Sequence, residues 1–271
     1  MIYEFSYLAP KNKRELLRII SESKNGFKLL AGGTDLLVNI RLGLIKPTTV
    51  VDIKKISGHR EIISSKEGLS FGPAVTISDL IENKTVQNKY PVLVKAGSGL
   101  ASIQIRNRAT VIGNICNASP CADMALPLLC LDAKIKLTSI EGSRILPLRD
   151  FFAGVKRTNM GPGEYCEKII VPVEFAGVTG GFMKLKRIKG HDIGLISVCM
   201  ITRDDRLRVA IGSAAPTPLL LKEFSTNDSP SKVCLAARNS INPIDDVRCS
   251  RDYRIFMAQV YIRRLMKEVQ G

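Results

Sequence analysis

Leu29-Leu30-Ala31-Gly32-Gly33-Thr34-Asp35-Leu36 decides how this chain folds, because it reads as the end of a strand, a glycine turn and the start of a helix. Lys28 to Ala31 reads as a short buried strand, and Leu36, Leu37, Ile40 and Leu44 then recur at three to four residues. Thr34 or Asp35 is placed to cap that helix, which the spacing ends near Gly43. Upstream, Leu16, Leu17, Ile19 and Ile20 fall near helical spacing between Asn12 and Ser23. Helix, strand, turn and helix in succession predict an alternating α/β lobe. The double glycine offers a turn in which main-chain N–H groups can converge on an anion.

A second turn of this kind is read in Ala109-Thr110-Val111-Ile112-Gly113-Asn114, after a strand-like run from Ala101 to Arg108. Proline is tolerated in a helix only in its first turn, so the helix carrying Leu128, Leu129 and Leu131 begins shortly before Pro127. Gly113 to about Asp123 is therefore expected to be loop or a single turn, with Thr110, Asn114 and Asp123 free to bond a ligand. Two such turns suit a ligand with two adjacent phosphates, a dinucleotide held across both. Neither is the G-x-G-x-x-G of a Rossmann strand-turn-helix, nor the G-K-[ST] of a P-loop.

Val50 to Ile53, Leu69 to Pro73, Lys134 to Leu137 and Lys168 to Val171 are further strand candidates, the last stopped by Pro172, and Ile77 to Asn83 reads as a helical turn or two. Beyond a composition shift at residues 172–178, Gly181 to Lys186, Leu195 to Thr202 and Leu207 to Gly212 read as three successive strands. Ser231 to Ser240 and Asp252 to Gln270 follow as helices, the latter amphipathic. Strands followed by helices predict a separate α+β domain.

At 271 residues and 45% hydrophobic content the chain can bury a substantial core. The N-terminal residues lack the pattern of a secretion signal, and no apolar run is long enough to span a bilayer. The formal charge of +15 invites a nucleic-acid reading. However, the Lys and Arg residues are spread in short groups without a basic helix or an aromatic stacking pattern, which favours an acidic partner subunit or an anionic cofactor. Seven cysteines with no C-x-x-C pair give no metal-binding spacing, and reduced thiols fit the cytoplasm. No catalytic triad can be assembled. His59 lies in a polar turn and reads as a surface residue, and His191 beside Asp192 reads as structural. Lys184, inside the strand-like Phe182-Met183-Lys184-Leu185, is either a solvent-facing strand residue or a functional one.

These segments, taken in order, resemble the FAD-binding, or medium, subunit of the molybdenum hydroxylases, the group that includes carbon monoxide dehydrogenase, xanthine dehydrogenase and aldehyde oxidoreductases. Ala31-Gly32-Gly33-Thr34-Asp35-Leu36-Leu37 is similar to that family's first flavin loop. Ala109 through Asp123 is similar to the second, an A-T-I-G-G-N segment followed by S-P-x-x-D. Lys184 with Asp192-Ile193-Gly194 resembles its K-x-x-x-R-x-x-x-D-I-A stretch. Gly212 to Pro218 and Asp246 to Arg254 resemble two signatures of its C-terminal domain. The sequence departs from the pattern at Ile112, where the family has a glycine, and at Ile188, where it has an arginine. Ile112 is expected to resist positive φ and to crowd the phosphates, and Arg187 is the neighbour placed to replace the missing arginine.

The resemblance implies an α+β fold, with a two-lobed FAD-binding α/β domain of the PCMH type followed by a C-terminal α+β domain of antiparallel strands and helices. It divides the chain into a first lobe over 1–55, a second over 56–173 and a C-terminal domain over 174–271. It assigns FAD contacts to Leu29, Leu30, Ala31, Gly32, Gly33, Thr34, Asp35 and Leu36 of the first loop, to Leu100 ahead of the second loop, and to Ala109, Thr110, Gly113, Asn114, Asp123 and Lys184. It assigns neither a catalytic residue nor a metal ligand to this chain. Molybdopterin and iron-sulfur clusters are expected only in a large and a small partner subunit, in a heterotrimer or its dimer. The implied function is electron transfer from those clusters through FAD to a soluble acceptor. The alternatives are a self-sufficient flavin reductase and a basic nucleic-acid-binding protein.

Overall fold

The computed structural model describes residues 4–23, 26–188 and 192–270. Strands β1 (Ser6–Leu8), β2 (Phe27–Leu30) and β3 (Thr49–Asp52) form a parallel sheet in the order β1-β3-β2. Parallel neighbours need crossovers, which α1 (Lys13–Glu22) and α2 (Leu36–Arg41) supply. Asn12 opens α1 by accepting a hydrogen bond from the Glu15 N–H at 2.9 Å. Leu16 and Ile20 then pack with Val51, Ile53, Ile56 and, from much later in the chain, Tyr165. The first glycine turn lies between β2 and α2, at the carboxyl end of a parallel strand, where such sheets hold ligands.

A second sheet is antiparallel, in the order β4-β5-β10-β6-β7, built from β4 (Ile62–Ser65), β5 (Gly68–Phe71), β6 (Lys134–Ser139), β7 (Gly142–Pro147) and β10 (Tyr165–Pro172). A hairpin of β8 (Phe152–Gly154) and β9 (Arg157–Thr158) precedes β10. Between β5 and β6 the chain runs through α3 (Ile77–Glu82), α4 (Lys84–Lys89), α5 (Pro91–Ser98), α6 (Ile103–Arg106), α7 (Val111–Cys116) and α8 (Ala125–Cys130). Thr76 and Asp79 close a reciprocal capping box at the start of α3, which satisfies two of its orphan N–H groups.

The third sheet runs β11 (Thr179–Leu185), β12 (Ile196–Arg203), β13 (Arg206–Gly212) and β14 (Leu219–Leu220), with β15 (Phe224–Ser225) also paired to β13. Helices α9 (Pro230–Ser240) and α10 (Arg251–Gln270) complete it. Side chains alternate along β12. Ile196, Val198 and Met200 share a core with Ala258, Ile262 and Leu265 of α10, while Cys199 and Ile201 join Leu128 and Leu129 of α8 in the core of the preceding region. This sheet is buried on both faces and carries β11 against α5. Among the described residues no helix is long and apolar enough to cross a membrane.

The α+β fold class and the three C-terminal strands agree with the sequence, but several local expectations need correction. The run before the second turn is helical, α6, and is no strand. Gly113 is the third residue of α7, so the stretch from Gly113 to Asp123 begins as helix. Ile112 takes helical backbone inside α7 and is buried in the core, so the expected conflict with positive φ does not arise. His59 is 5% exposed, with Nδ1 3.0 Å from the Ile53 carbonyl oxygen, and is no surface residue. His191 lies outside the described residues.

Candidate functional site

The first turn keeps the shape its glycines suggested. Gly33 adopts φ +75°, a left-handed conformation that side-chain-bearing residues rarely take. Gly32 serves a different end: a Cβ there would fall 2.1 Å from the Arg108 carbonyl oxygen and 2.9 Å from the Ala109 Cα. The two loops are therefore in backbone-to-backbone contact, which no other residue type at position 32 permits. Among the described residues no hydrogen bond uses the backbone N–H groups of Gly32, Gly33, Thr34 or Asp35. Leu29 and Leu30 belong to β2, and the Leu30 carbonyl accepts from Ile53 N–H at 3.1 Å, fixing the strand end from which the turn departs. Ala31 packs beside the core that Leu16 and Ile20 of α1 form with Val51 and Tyr165. Asp35 occupies the N-cap position of α2 without capping it; its Oδ1 accepts instead from Asn117 Nδ2 at 2.9 Å.

The second loop is pinned at its entrance. Ile77 N–H donates to the Ala109 carbonyl at 2.9 Å and Val111 N–H to the Val75 carbonyl at 3.1 Å, so Ala109 and Thr110 lie beside the start of α3. Thr110, 3% exposed, caps α7 by accepting from Gly113 N–H at 3.0 Å. A turn later, Asn114 Oδ1 accepts from Met124 N–H at 3.2 Å, bringing the residue after Asp123 onto α7.

Asp123 is met by Lys184 from β11: Nζ donates to Oδ2 at 2.6 Å, and each side chain is 7% exposed. Burial pushes the Asp123 carboxyl up from its ordinary value, and the ammonium groups of Lys184 and Lys186 pull it back down. Burial and the Lys184 charge push Lys186 down, with Arg106 adding to the effect. Arg106 in turn donates to the Leu100 carbonyl at 2.8 Å, and Leu100 itself is buried in the core. Fifteen sequence-selected positions thus fall into three linked groups: the first turn, the start of α7, and the buried Asp123–Lys184 pair with Leu100 and its cations nearby.

Sequence reasoning missed the residues that brace these groups. Asn117, at the end of α7, ties the first turn to that helix, and only its adjacency to the glycine segment could have flagged it. Ser213 Oγ donates to the Gly194 carbonyl at 2.8 Å and Ser213 N–H to the Pro120 carbonyl at 2.8 Å. Arg254, 1% exposed, donates to the Leu195 carbonyl and lies 2.9 Å from Asp246 Oδ1. Both residues sit within the C-terminal stretches that resembled family signatures, and their role here is to hold residues 194–195 and Pro120 beside the pair. Arg187, expected to replace a missing arginine, pairs with Asp192 at 3.5 Å.

The arrangement suits a cofactor with a pyrophosphate. Unused N–H groups line the turn at a strand's carboxyl end, a second loop is in van der Waals contact with it, and beyond that loop stand the buried Lys184 and the half-buried Lys186 and Arg106. These features fit FAD. They include no nucleophile paired with a base and, among the described residues, no group of three metal-ligating side chains.

Comparison with known proteins agrees. The chain is 30% identical to the glyceraldehyde dehydrogenase medium chain of Sulfolobus acidocaldarius, with 98% of each chain covered. It is 32% identical to the putative xanthine dehydrogenase FAD-binding subunit of Escherichia coli, over 89% of this chain and 88% of that one. The carbon monoxide dehydrogenase of Hydrogenophaga pseudoflava that lacks the Mo-pyranopterin moiety superposes with a TM-score of 0.94 at 28% identity, covering 100% of this chain and 98% of that one. Residues 3–174 match the family model described as the FAD binding domain in molybdopterin dehydrogenase, and the chain belongs to that family.

Proposed function

We propose that this chain is the FAD-carrying electron-transfer subunit of a cytoplasmic, multi-subunit molybdenum hydroxylase. The observation that carries the reading is the run of unused N–H groups at Gly32 to Asp35, in backbone contact with the entrance of the second loop. Bound there, FAD supplies a group that accepts electrons and releases them to an external acceptor. The first turn would donate its N–H groups to the pyrophosphate. Thr110 takes Gly113 N–H as the cap of α7 and sets Asn114 at its head, whose side-chain Nδ2 would be the donor there for a remaining phosphate or sugar oxygen. Lys184 holds positive charge at the edge of the site, and Asp123 fixes where that charge stands.

In this reading the chain divides into FAD-binding lobes over 1–55 and 56–173 and a C-terminal domain over 174–271. A molybdopterin-bearing large subunit oxidises the substrate and an iron-sulfur small subunit delivers the electrons. The name of the S. acidocaldarius relative, a medium chain, supports such partners. Titrating the purified chain with FAD tests the claim. One equivalent is expected to bind with quenched flavin fluorescence, and the isolated chain is expected to turn over no substrate. A chain that fails to bind FAD overturns the reading, and catalytic turnover by the chain alone favours a self-sufficient reductase.

A further inference from the structure

Within the described residues the first turn donates none of its four N–H groups; its Gly33 and Asp35 carbonyls accept from Leu37 and Asn39 N–H at 3.0 Å each, which ties it to α2 and leaves its placement against the second loop to other contacts. The Gly32 contact with Arg108 limits its approach but is not directional. Among the described residues, the hydrogen bond from Asn117 Nδ2 to Asp35 Oδ1, 2.9 Å, is the one side-chain hydrogen bond from the turn to the second lobe. We propose that Asn117 is a positioning residue for the cofactor: it latches the first turn to the end of α7 in the conformation that receives the pyrophosphate. The proposal rests on the FAD reading and deepens it.

Asn117 stands on a stiff base. Its own N–H donates to the Gly113 carbonyl at 3.0 Å, closing α7. The next residue, Ala118, is fully buried at φ +45°, a conformation that persists only where the surroundings impose it. The Ala118 carbonyl accepts from Lys156 N–H at 2.9 Å. The amide of Asn117 is thus aimed by backbone that cannot easily rotate.

Its partner explains why a latch is needed. Asp35 occupies the N-cap position of α2, where an aspartate ordinarily turns back onto the N–H groups of its own helix. Released, its carboxylate would be free to swing toward a phosphate seated in the turn and would repel it by charge. Held by Asn117, it is fixed in place with an amide donor against its charge. Preorganising a loop in its bound shape strengthens binding by removing an ordering cost.

The test uses the full-length chain freed of flavin, titrated with FAD by fluorescence and melted without it. Asn117→Ala is expected to weaken FAD binding roughly five- to tenfold, the range for a charge-assisted hydrogen bond at an exposed site, with the melting temperature of the flavin-free chain unchanged. Asn117→Asp, nearly isosteric, sets two carboxylates against each other and is expected to weaken binding further. Adding Asp35→Asn to it recreates a donor-acceptor pair in the opposite sense and is expected to restore affinity to within about twofold. If Asn117→Ala disturbs folding, the isosteric variant and its rescue decide. Wild-type affinity in Asn117→Asp, or no rescue by the exchange, overturns the latch while leaving the FAD reading intact. A wild-type chain that does not bind FAD overturns the reading itself.

Discussion

Lys184 and Asp123 form an ion pair buried to an extent that surface pairs never reach, and such a pair is costly to break from one side. Lys184→Met leaves the carboxylate without its counter-charge and is expected to destabilise the chain by about 3–5 kcal/mol at neutral pH. The loss depends on pH in a defined direction. Burial already raises the Asp123 carboxyl, and removing the ammonium raises it further. A carboxyl whose folded value lies above its unfolded one gives stability that is present below the unfolded value and lost as pH rises through the folded one. The Lys184→Met deficit should therefore shrink as urea melts are moved from pH 8 toward pH 5. Asp123→Asn added to it should recover much of the loss at pH 8. A deficit of equal size at every pH would mean that Asp123 stays ionised and that its charge is not what destabilises the variant.

Elements differed sharply in how far the sequence disclosed them. The turn from β2 to α2 was legible because an apolar strand, a double glycine and a helical period follow one another directly. Helix α7 was not legible: six residues are too few for periodicity to show, and Gly113 suggested a turn although Thr110 already caps a helix there. Strand β4 was missed because Ile62-Ile63-Ser64-Ser65 does not alternate, as expected of an edge strand with one half-buried residue and three exposed ones. Tertiary contacts such as Asn117 with Asp35 leave no local pattern at all. The same holds for Glu167 on β10, which bonds Lys13 on α1 at 2.9 Å, Lys136 on β6 at 3.2 Å and the Thr138 hydroxyl, joining the first two sheets' regions. Burial alone would raise its carboxyl; the hydrogen bonds from Lys13, Thr138 and Lys136 outweigh that and lower it from 4.5 to about 2. A lowered folded value gives stability that is present above the unfolded value and lost as pH falls through the folded one. Glu167→Gln should thus cost on the order of 2 kcal/mol at pH 7, and the gap to wild type should close between about pH 5 and pH 2. Denaturant melts across that range measure it, and a gap that persists at the acid end would assign the effect to packing.

At the scale of the whole molecule, the family match ends at residue 174, yet the packing does not. The core that holds α5, α7 and α8 also contains Val178, just before β11, and Cys199, Ile201 and Ala210 from the C-terminal sheet. Lys95 on α5 reaches the Gly180 carbonyl at 2.9 Å and Glu268 on α10 at 2.7 Å. The Asp123–Lys184 pair and the Ser213 bond to Pro120 cross the same boundary. A chain ending at residue 174 would expose one face of α8 and leave Asp123 without Lys184, so the segment that matches the family model is expected not to fold alone. Expressed by itself, that segment should melt without a cooperative transition, exchange its amide hydrogens rapidly through α5 and α8, and take up no FAD. The full chain should melt cooperatively and bind FAD. Cooperative melting with FAD binding by the truncated segment would show that the C-terminal sheet is an attached module and not part of the site's foundation. The predicted result would explain why the Gly212 to Pro218 and Asp246 to Arg254 stretches accompany the glycine turns in this sequence: they hold the wall against which the second loop is set.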